Sequence, residues 1–147
     1  MSSAPYVHRH RITYAECTIG NHVYYSRYLD LLEEARGEWF RSFGWPLLQL
    51  QTEDIAFPVT EAHLEYAAPA RYDDLVRIEL WVMALTRLRL QVGFAVRDES
   101  GSSLVNGQTH HVCTSVSEKP RRMPVELFNA LRRYEQPVGT TGAPAAE

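Results

Sequence analysis

Four polar side chains of different chemistry crowd into one short segment: the Glu16 carboxylate, the Thr18 hydroxyl, the Asn21 amide and the His22 imidazole. A carboxylate or a neutral imidazole can take a proton from water near neutral pH, and a hydroxyl or amide can hold that water in place. If this backbone is extended, positions 16 and 18 point to the same side, so Glu16 and Thr18 would bear on one point. Directly behind them a helix is expected to begin near Tyr24. A helix start offers unpaired N–H groups and the positive end of the helix dipole, both suited to an oxygen that gains negative charge. Water activation beside such donors is the equipment of a hydrolytic site.

Each of these residues also has a structural reading. Glu16 could pair with a backbone donor or a cation in the loop, and His22 could be a hydrogen-bonded scaffold residue at a helix start. Arg36 could reach a substrate, or anchor the helix through Glu16 or a carbonyl. His8, His10, His110 and His111 raise the question of a metal, because alternate residues of a strand share a face and two strands can bring such pairs together. No cysteine or carboxylate spacing completes a recognised ligand set, so no metal site is expected.

The elements that must position this loop can be read from periodicity. Residues 6–14 are strand-compatible, although His and Arg break the alternation. Tyr24, Tyr28, Leu31, Leu32, Ala35, Trp39 and Phe43 recur at three- and four-residue spacing on one helical face, opposite Arg27, Asp30, Glu33, Glu34 and Arg41. Gly44 and Pro46 stop that helix near residue 43. Four further strands are expected over residues 56–66, 75–85, 88–96 and 104–116, with a turn at residues 98–101 and a longer connection at 69–74. A short helix over residues 125–134 closes the domain. Residues 136–147, rich in Pro, Gly, Thr and Ala, lack the apolar groups that offset ordering entropy and are expected to be disordered.

The whole is 147 residues, 45% hydrophobic and 22% charged, which suits one globular domain over residues 1–135. A net charge of -3 with dispersed basic residues argues against nucleic acid as a partner. The longest apolar run, residues 81–85, is too short for a membrane span. Cys17 and Cys113 form neither a CxxC pair nor a disulfide framework, and no signal-peptide core opens the chain, so a reducing cytoplasm is expected.

The run Tyr14-Ala15-Glu16-Cys17-Thr18-Ile19-Gly20-Asn21-His22-Val23-Tyr24-Tyr25-Ser26-Arg27-Tyr28-Leu29, followed by Leu32-Glu33-Glu34-Ala35-Arg36, resembles the signature of the 4-hydroxybenzoyl-CoA thioesterase family. Phe57-Pro58-Val59 with residues 64–74 resembles that family's second strand and turn, and residues 119–124 its ending, so the likeness runs in order over about residues 6–134. It implies an α+β hotdog fold: a five-stranded antiparallel sheet wrapped around a long central helix, with a short C-terminal helix. It implies hydrolysis of an acyl-CoA or acyl-carrier-protein thioester without metal or redox cofactor, in a homodimer or homotetramer whose site needs two chains. A monomer would be inactive.

By the same resemblance the backbone N–H of Tyr25 is the principal oxyanion donor, and Tyr24 and Tyr28 border the acyl pocket. The family's catalytic Asp falls at Thr18. Three readings stay open: Glu16 replaces the missing acid from the same face; Thr18, Asn21 and His22 hold and activate water, with Arg36 of the central helix, as in the related polyketide-pathway enzymes; or hydrolysis is lost and the chain is a module that binds acyl thioesters or scaffolds a pathway. Arg87, Arg89, Lys119, Arg121 and Arg122 could meet the phosphates of coenzyme A, or form a solvated charged edge.

Overall fold

The apolar stripe of the central helix packs as its spacing requires. In the computed structural model, which describes residues 4–136, helix α1 (Arg27–Ser42) buries Tyr28, Leu31, Leu32, Ala35, Trp39 and Phe40. Its end is a Schellman motif: Gly44, at φ 89°, donates its N–H to the Arg41 carbonyl, and Trp45 donates to Phe40. Only the start differs from expectation. Tyr24 lies before the helix because its own N–H is held by the Glu16 carbonyl at 2.9 Å, and its carbonyl accepts from Arg27 at 2.8 Å in a turn.

Against α1 lies an antiparallel sheet of β1 (Tyr6–Arg11), β4 (Val59–Tyr66), β5 (Leu75–Leu85), β6 (Arg89–Arg97) and β7 (Ser103–Val112), in the order β1-β5-β6-β7-β4. Even-numbered residues of the two central strands, Val76, Ile78, Leu80 and Val82 with Leu90, Val92, Phe94 and Val96, join the core with α1. This is the expected hotdog arrangement of a sheet around a helix. On the opposite face Trp81 stands across from Gly93, where a Cβ would overlap the indole, so Gly93 is the seat of that ring.

Two minor strands, β2 (Cys17–Thr18) and β3 (His22–Val23), form a hairpin outside the main sheet. A second helix, α2 (Leu47–Thr52), follows Pro46 in a segment where no element was expected. The strand expected over 56–66 begins only at Val59, and that expected over 104–116 ends at Val112. Beyond those ends Ala56 and Thr114 still exchange both backbone hydrogen bonds, at 2.8 and 2.9 Å, as an isolated bridge. Helix α3 (Val125–Arg132) ends two residues early, after which the Tyr134 carbonyl and the Gln136 N–H clasp Val82. The tail expected to be disordered lies, beyond Gln136, outside the described residues. Among the described residues no helix is long and apolar enough to cross a membrane.

Gly107 on β7 stands between Leu64 and Phe94 at φ 156°, and a Cβ there would overlap the His63 carbonyl oxygen. That close backbone approach brings edge strand β4 onto the sheet and in toward the start of α1.

Candidate functional site

The segment between β1 and β2 is not extended. Residues Tyr14–Glu16 form a single 3-10 turn with a capping box at Thr13: Thr13 donates its N–H to Glu16 Oε1 at 2.8 Å, while the turn's own bond runs from the Glu16 N–H to the Thr13 carbonyl at 3.1 Å. The expectation that Glu16 and Thr18 share an extended face is therefore corrected. The Glu16 carboxylate also takes His10 Nε2 at 3.0 Å to both oxygens, and it is largely covered. It is committed to protein partners on two sides.

After the turn, Thr18 and His22 stand directly opposite each other in the β2–β3 pair. Cross-strand partners in register project to the same side, so the hydroxyl and the imidazole share a face. Neither side chain has a hydrogen-bond partner among the described residues. Asn21 does: at φ 63° it caps the hairpin, and its Oδ1 accepts the Tyr72 N–H at 3.2 Å. With Arg71 reaching the Gly20 carbonyl and Val23 donating to Ala70, the hairpin is docked onto the 70–74 connection.

At the entrance to α1 the N–H groups of Tyr25 and Ser26 meet no acceptor among the described residues, whereas that of Tyr24 is occupied by Glu16. The Tyr25 carbonyl accepts the Tyr66 hydroxyl at 3.1 Å, tying β4 to the helix entrance. Rings cluster around it: Tyr24 on Tyr25 at 4.8 Å, and Tyr66 edge-on to Tyr25 at 6.4 Å and Tyr28 at 5.7 Å. Tyr28 is buried, its oxygen accepting the Ala70 N–H, and burial first of all raises its phenol pKa, so it stays neutral. Tyr24 and Tyr25 are exposed.

Arg36 lies deeper. Its guanidinium grips Glu33 at 2.7 and 2.9 Å and reaches the Phe57 carbonyl at 3.4 Å, so it anchors through a carbonyl and not through Glu16. Beside it is His111, whose Nδ1 is 3.2 Å from the Phe57 carbonyl and whose Nε2 is 2.8 Å from the Thr109 hydroxyl. Since a carbonyl only accepts, Nδ1 carries the proton and Nε2 accepts from Thr109. Burial, then the neighbouring Arg36, push the His111 pKa down to about 4. These polar groups form one side of a cavity of about 250 Å³, walled by Leu29, Leu32, Val59, Leu80, Val92 and Phe94.

Two groups thus emerge: the hairpin and helix entrance with Thr18, His22, Tyr24, Tyr25 and Tyr28, and the inner group of Arg36 and His111. Reading the sequence missed Thr109, His111 and Tyr66 as members. Thr109 and His111 are two apart on one strand face, which was legible; their partner Phe57 was not. The basic residues at 87–89 and 119–122 do meet, since Met123 donates to the Arg87 carbonyl, Arg87 Nε donates back to that of Met123, and Cys113 bridges Leu88 and Arg121.

Residues 12–131 match the thioesterase-like superfamily. The acyl-CoA thioester hydrolase YbgC of Escherichia coli is 29% identical over 124 residues, covering 84% of this chain and 92% of that protein. A 1,4-dihydroxy-2-naphthoyl-CoA hydrolase of Synechocystis is 28% identical over 101 residues, 67% of this chain and 73% of its own. A crystal structure from Aquifex aeolicus superposes with a TM-score of 0.82 at 28% identity, covering 86% of this chain and 99% of that one.

Proposed function

The chain belongs to the thioesterase-like superfamily of hotdog-fold proteins, and from that premise we propose that it hydrolyses acyl-CoA thioesters to a carboxylic acid and free CoA. The observation that carries the reading is the pair of open amides at Tyr25 and Ser26 where α1 begins. There a thioester carbonyl oxygen finds two backbone donors and the positive end of a 16-residue helix. Water adds to the carbonyl carbon, the C–S bond breaks, and the proton taken from water goes to the leaving thiolate.

For the water, the geometry favours the face shared by Thr18 and His22. The hydroxyl orients it, and the imidazole accepts its proton. Glu16 acts one step back as a positioning residue, since its carboxylate holds the turn and its carbonyl holds Tyr24. The cavity behind Leu29 and Val59 receives a compact acyl group, with Arg36, Thr109 and His111 available to its polar substituents. The basic cluster at 87–89 and 119–122 suits the nucleotide phosphates.

A second copy completes the site in this reading. Strand β4 is a sheet edge, paired among the described residues only with β7 and exposed along most of its length, and it carries Val59 and Tyr66 beside the exposed Leu29 and Tyr25. Edge-to-edge pairing of β4 in a homodimer, or a homotetramer built from it, would cover this stripe. Two unpaired thiols fit a cytoplasmic setting.

The test is thiol release from aliphatic and aromatic acyl-CoAs by wild type, Thr18→Val, His22→Gln and Glu16→Gln, with size-exclusion chromatography alongside. Wild type should turn over at least one ester as a dimer or larger, and His22→Gln should lose about 10²-fold or more in kcat. Unchanged turnover in His22→Gln removes that residue from the chemistry. Cleavage of carrier-protein esters alone reassigns the donor. Binding without release makes the chain the acyl-thioester-binding module that the missing Asp and the committed Glu16 would suit.

A further inference from the structure

Beside the hairpin lies a second constellation that thioester hydrolysis does not use. His8 and His10 alternate on β1 and so share the face that meets α1, where Glu34 waits between them. His8 Nε2 is 2.7 Å and His10 Nδ1 3.1 Å from the same oxygen, Glu34 Oε2, and one ligand atom from each residue lies within 4.8 Å of the others. We propose that His8, His10 and Glu34 form a binding site for a divalent transition-metal ion of the zinc class.

The donor set fits such an ion: two imidazoles and a carboxylate are the three-ligand complement that leaves a further position for water. Donors around tetrahedral zinc sit about 3.3 Å apart, given metal–ligand bonds of about 2.0–2.1 Å, so an ion requires an outward shift of the Glu34 oxygen of about 0.2–0.6 Å from the 2.7 and 3.1 Å contacts, between imidazole nitrogens that lie within 4.8 Å of each other. Glu34 can supply it. Its side chain is 45% exposed, against 16% and 13% for His8 and His10, so the carboxylate is the solvent-facing member of a set whose imidazoles are largely covered.

The surroundings point the same way independently. The other nitrogen of His10, Nε2, faces the Glu16 carboxylate at 3.0 Å, and Glu16 is itself held by the Thr13 N–H. That is the carboxylate–histidine–metal relay, in which an outer acid fixes the tautomer and strengthens the ligating nitrogen. With Nε2–H donated to Glu16, Nδ1 presents a lone pair to a carboxylate oxygen. A neutral imidazole can donate to only one of the two carboxylates that His10 faces, so the Nδ1 lone pair left toward Glu34 offers a position for a metal ion. A bound ion would tie β1, α1 and the turn at Glu16 together directly behind the hairpin.

The experiment uses the full chain without a polyhistidine tag, freed of metal by chelator and titrated with Zn²⁺ by calorimetry and with Co²⁺ by visible absorption. One ion per chain should bind, with the intense bands of low-coordinate cobalt. Binding should be lost in His8→Gln and Glu34→Gln and weakened about 10–100-fold in Glu16→Gln, the range for an outer-shell partner. The double variant His63→Gln, His110→Gln controls for surface histidines and should bind like wild type. Circular dichroism checks the fold, and Glu34→Gln, at a half-exposed helix position, decides the matter should the β1 variant unfold. Absence of one-to-one binding, or binding that survives Glu34→Gln and vanishes in the control, overturns the proposal.

Discussion

Acid should destabilise this protein through His111, by an amount the structure sets. The imidazole is 3% exposed, donates to the Phe57 carbonyl and accepts from Thr109, and stands 3.3 Å from the Arg36 guanidinium. Burial and that neighbouring cation, with a smaller contribution from His110, oppose its protonation. Glu33 and the Phe57 carbonyl favour it but do not prevail, and the pKa falls from 6.5 to about 4. In the unfolded chain the group titrates near its ordinary value, so between about pH 6.5 and 4 the unfolded state binds the extra proton. Stability from neutral His111 is therefore complete above pH 6.5 and is lost as pH falls toward 4. At 1.36 kcal/mol per pKa unit the loss is about 3 kcal/mol, a large share of a typical domain's stability of about 5–15 kcal/mol.

Urea unfolding at constant ionic strength and protein concentration, from pH 7.5 to 4, would measure it in wild type and in His111→Gln. Glutamine keeps one donor and one acceptor and does not titrate. The wild-type curve should drop about 3 kcal/mol further over this window than the variant's. Arg36→Met, which removes the adjacent charge, should shrink the wild-type drop. Parallel curves for wild type and His111→Gln would refute the argument.

Other consequences can be checked on purified protein. Gly107→Ala places a methyl against the His63 carbonyl and asks alanine to hold φ 156°; it should cost on the order of 3 kcal/mol, measured by thermal unfolding, and should loosen amide protection in β4 first. Tyr28→Phe leaves the buried Ala70 N–H without its acceptor and should lower stability by about 1–3 kcal/mol. Because Ala70 also holds Val23, hydrogen exchange in the hairpin should quicken in the same variant.

Where a signal repeats locally, the sequence was readable. The stripe from Tyr28 to Phe40 and the glycine stop at 44 determine α1, because helix periodicity and the left-handed cap depend on a few neighbouring residues. The central strands were legible for the same reason. Helix α2 has Leu47, Leu48 and Leu50 in six residues, too few turns for a period to show. Glu16 illustrates a local signal passed over: Thr13 and Glu16 stand at capping-box spacing, and weighing that would have argued for a turn against an extended face. The partners of the polar groups were beyond reach. His10 meets Glu34 from 24 positions away and Arg36 meets His111 from 75, distances at which only the assembled sheet decides who touches whom.

The clasp at the end of the described chain bears on biosynthesis. Trp39, fully buried at the heart of α1, is covered edge-on by the Tyr134 ring at 5.4 Å, and the Tyr134 carbonyl and Gln136 N–H bind the two sides of Val82. A ribosome working from the N-terminus will have released the helix and all five sheet strands before that lid residue emerges. Until then the indole, flanked by Tyr6, Phe40 and Phe43, lacks its Tyr134 cover, and a partly uncovered apolar group is the kind that chaperones engage. Completion of the core is thus coupled to the emergence of Tyr134, and a chain stopped before it would remain a chaperone client.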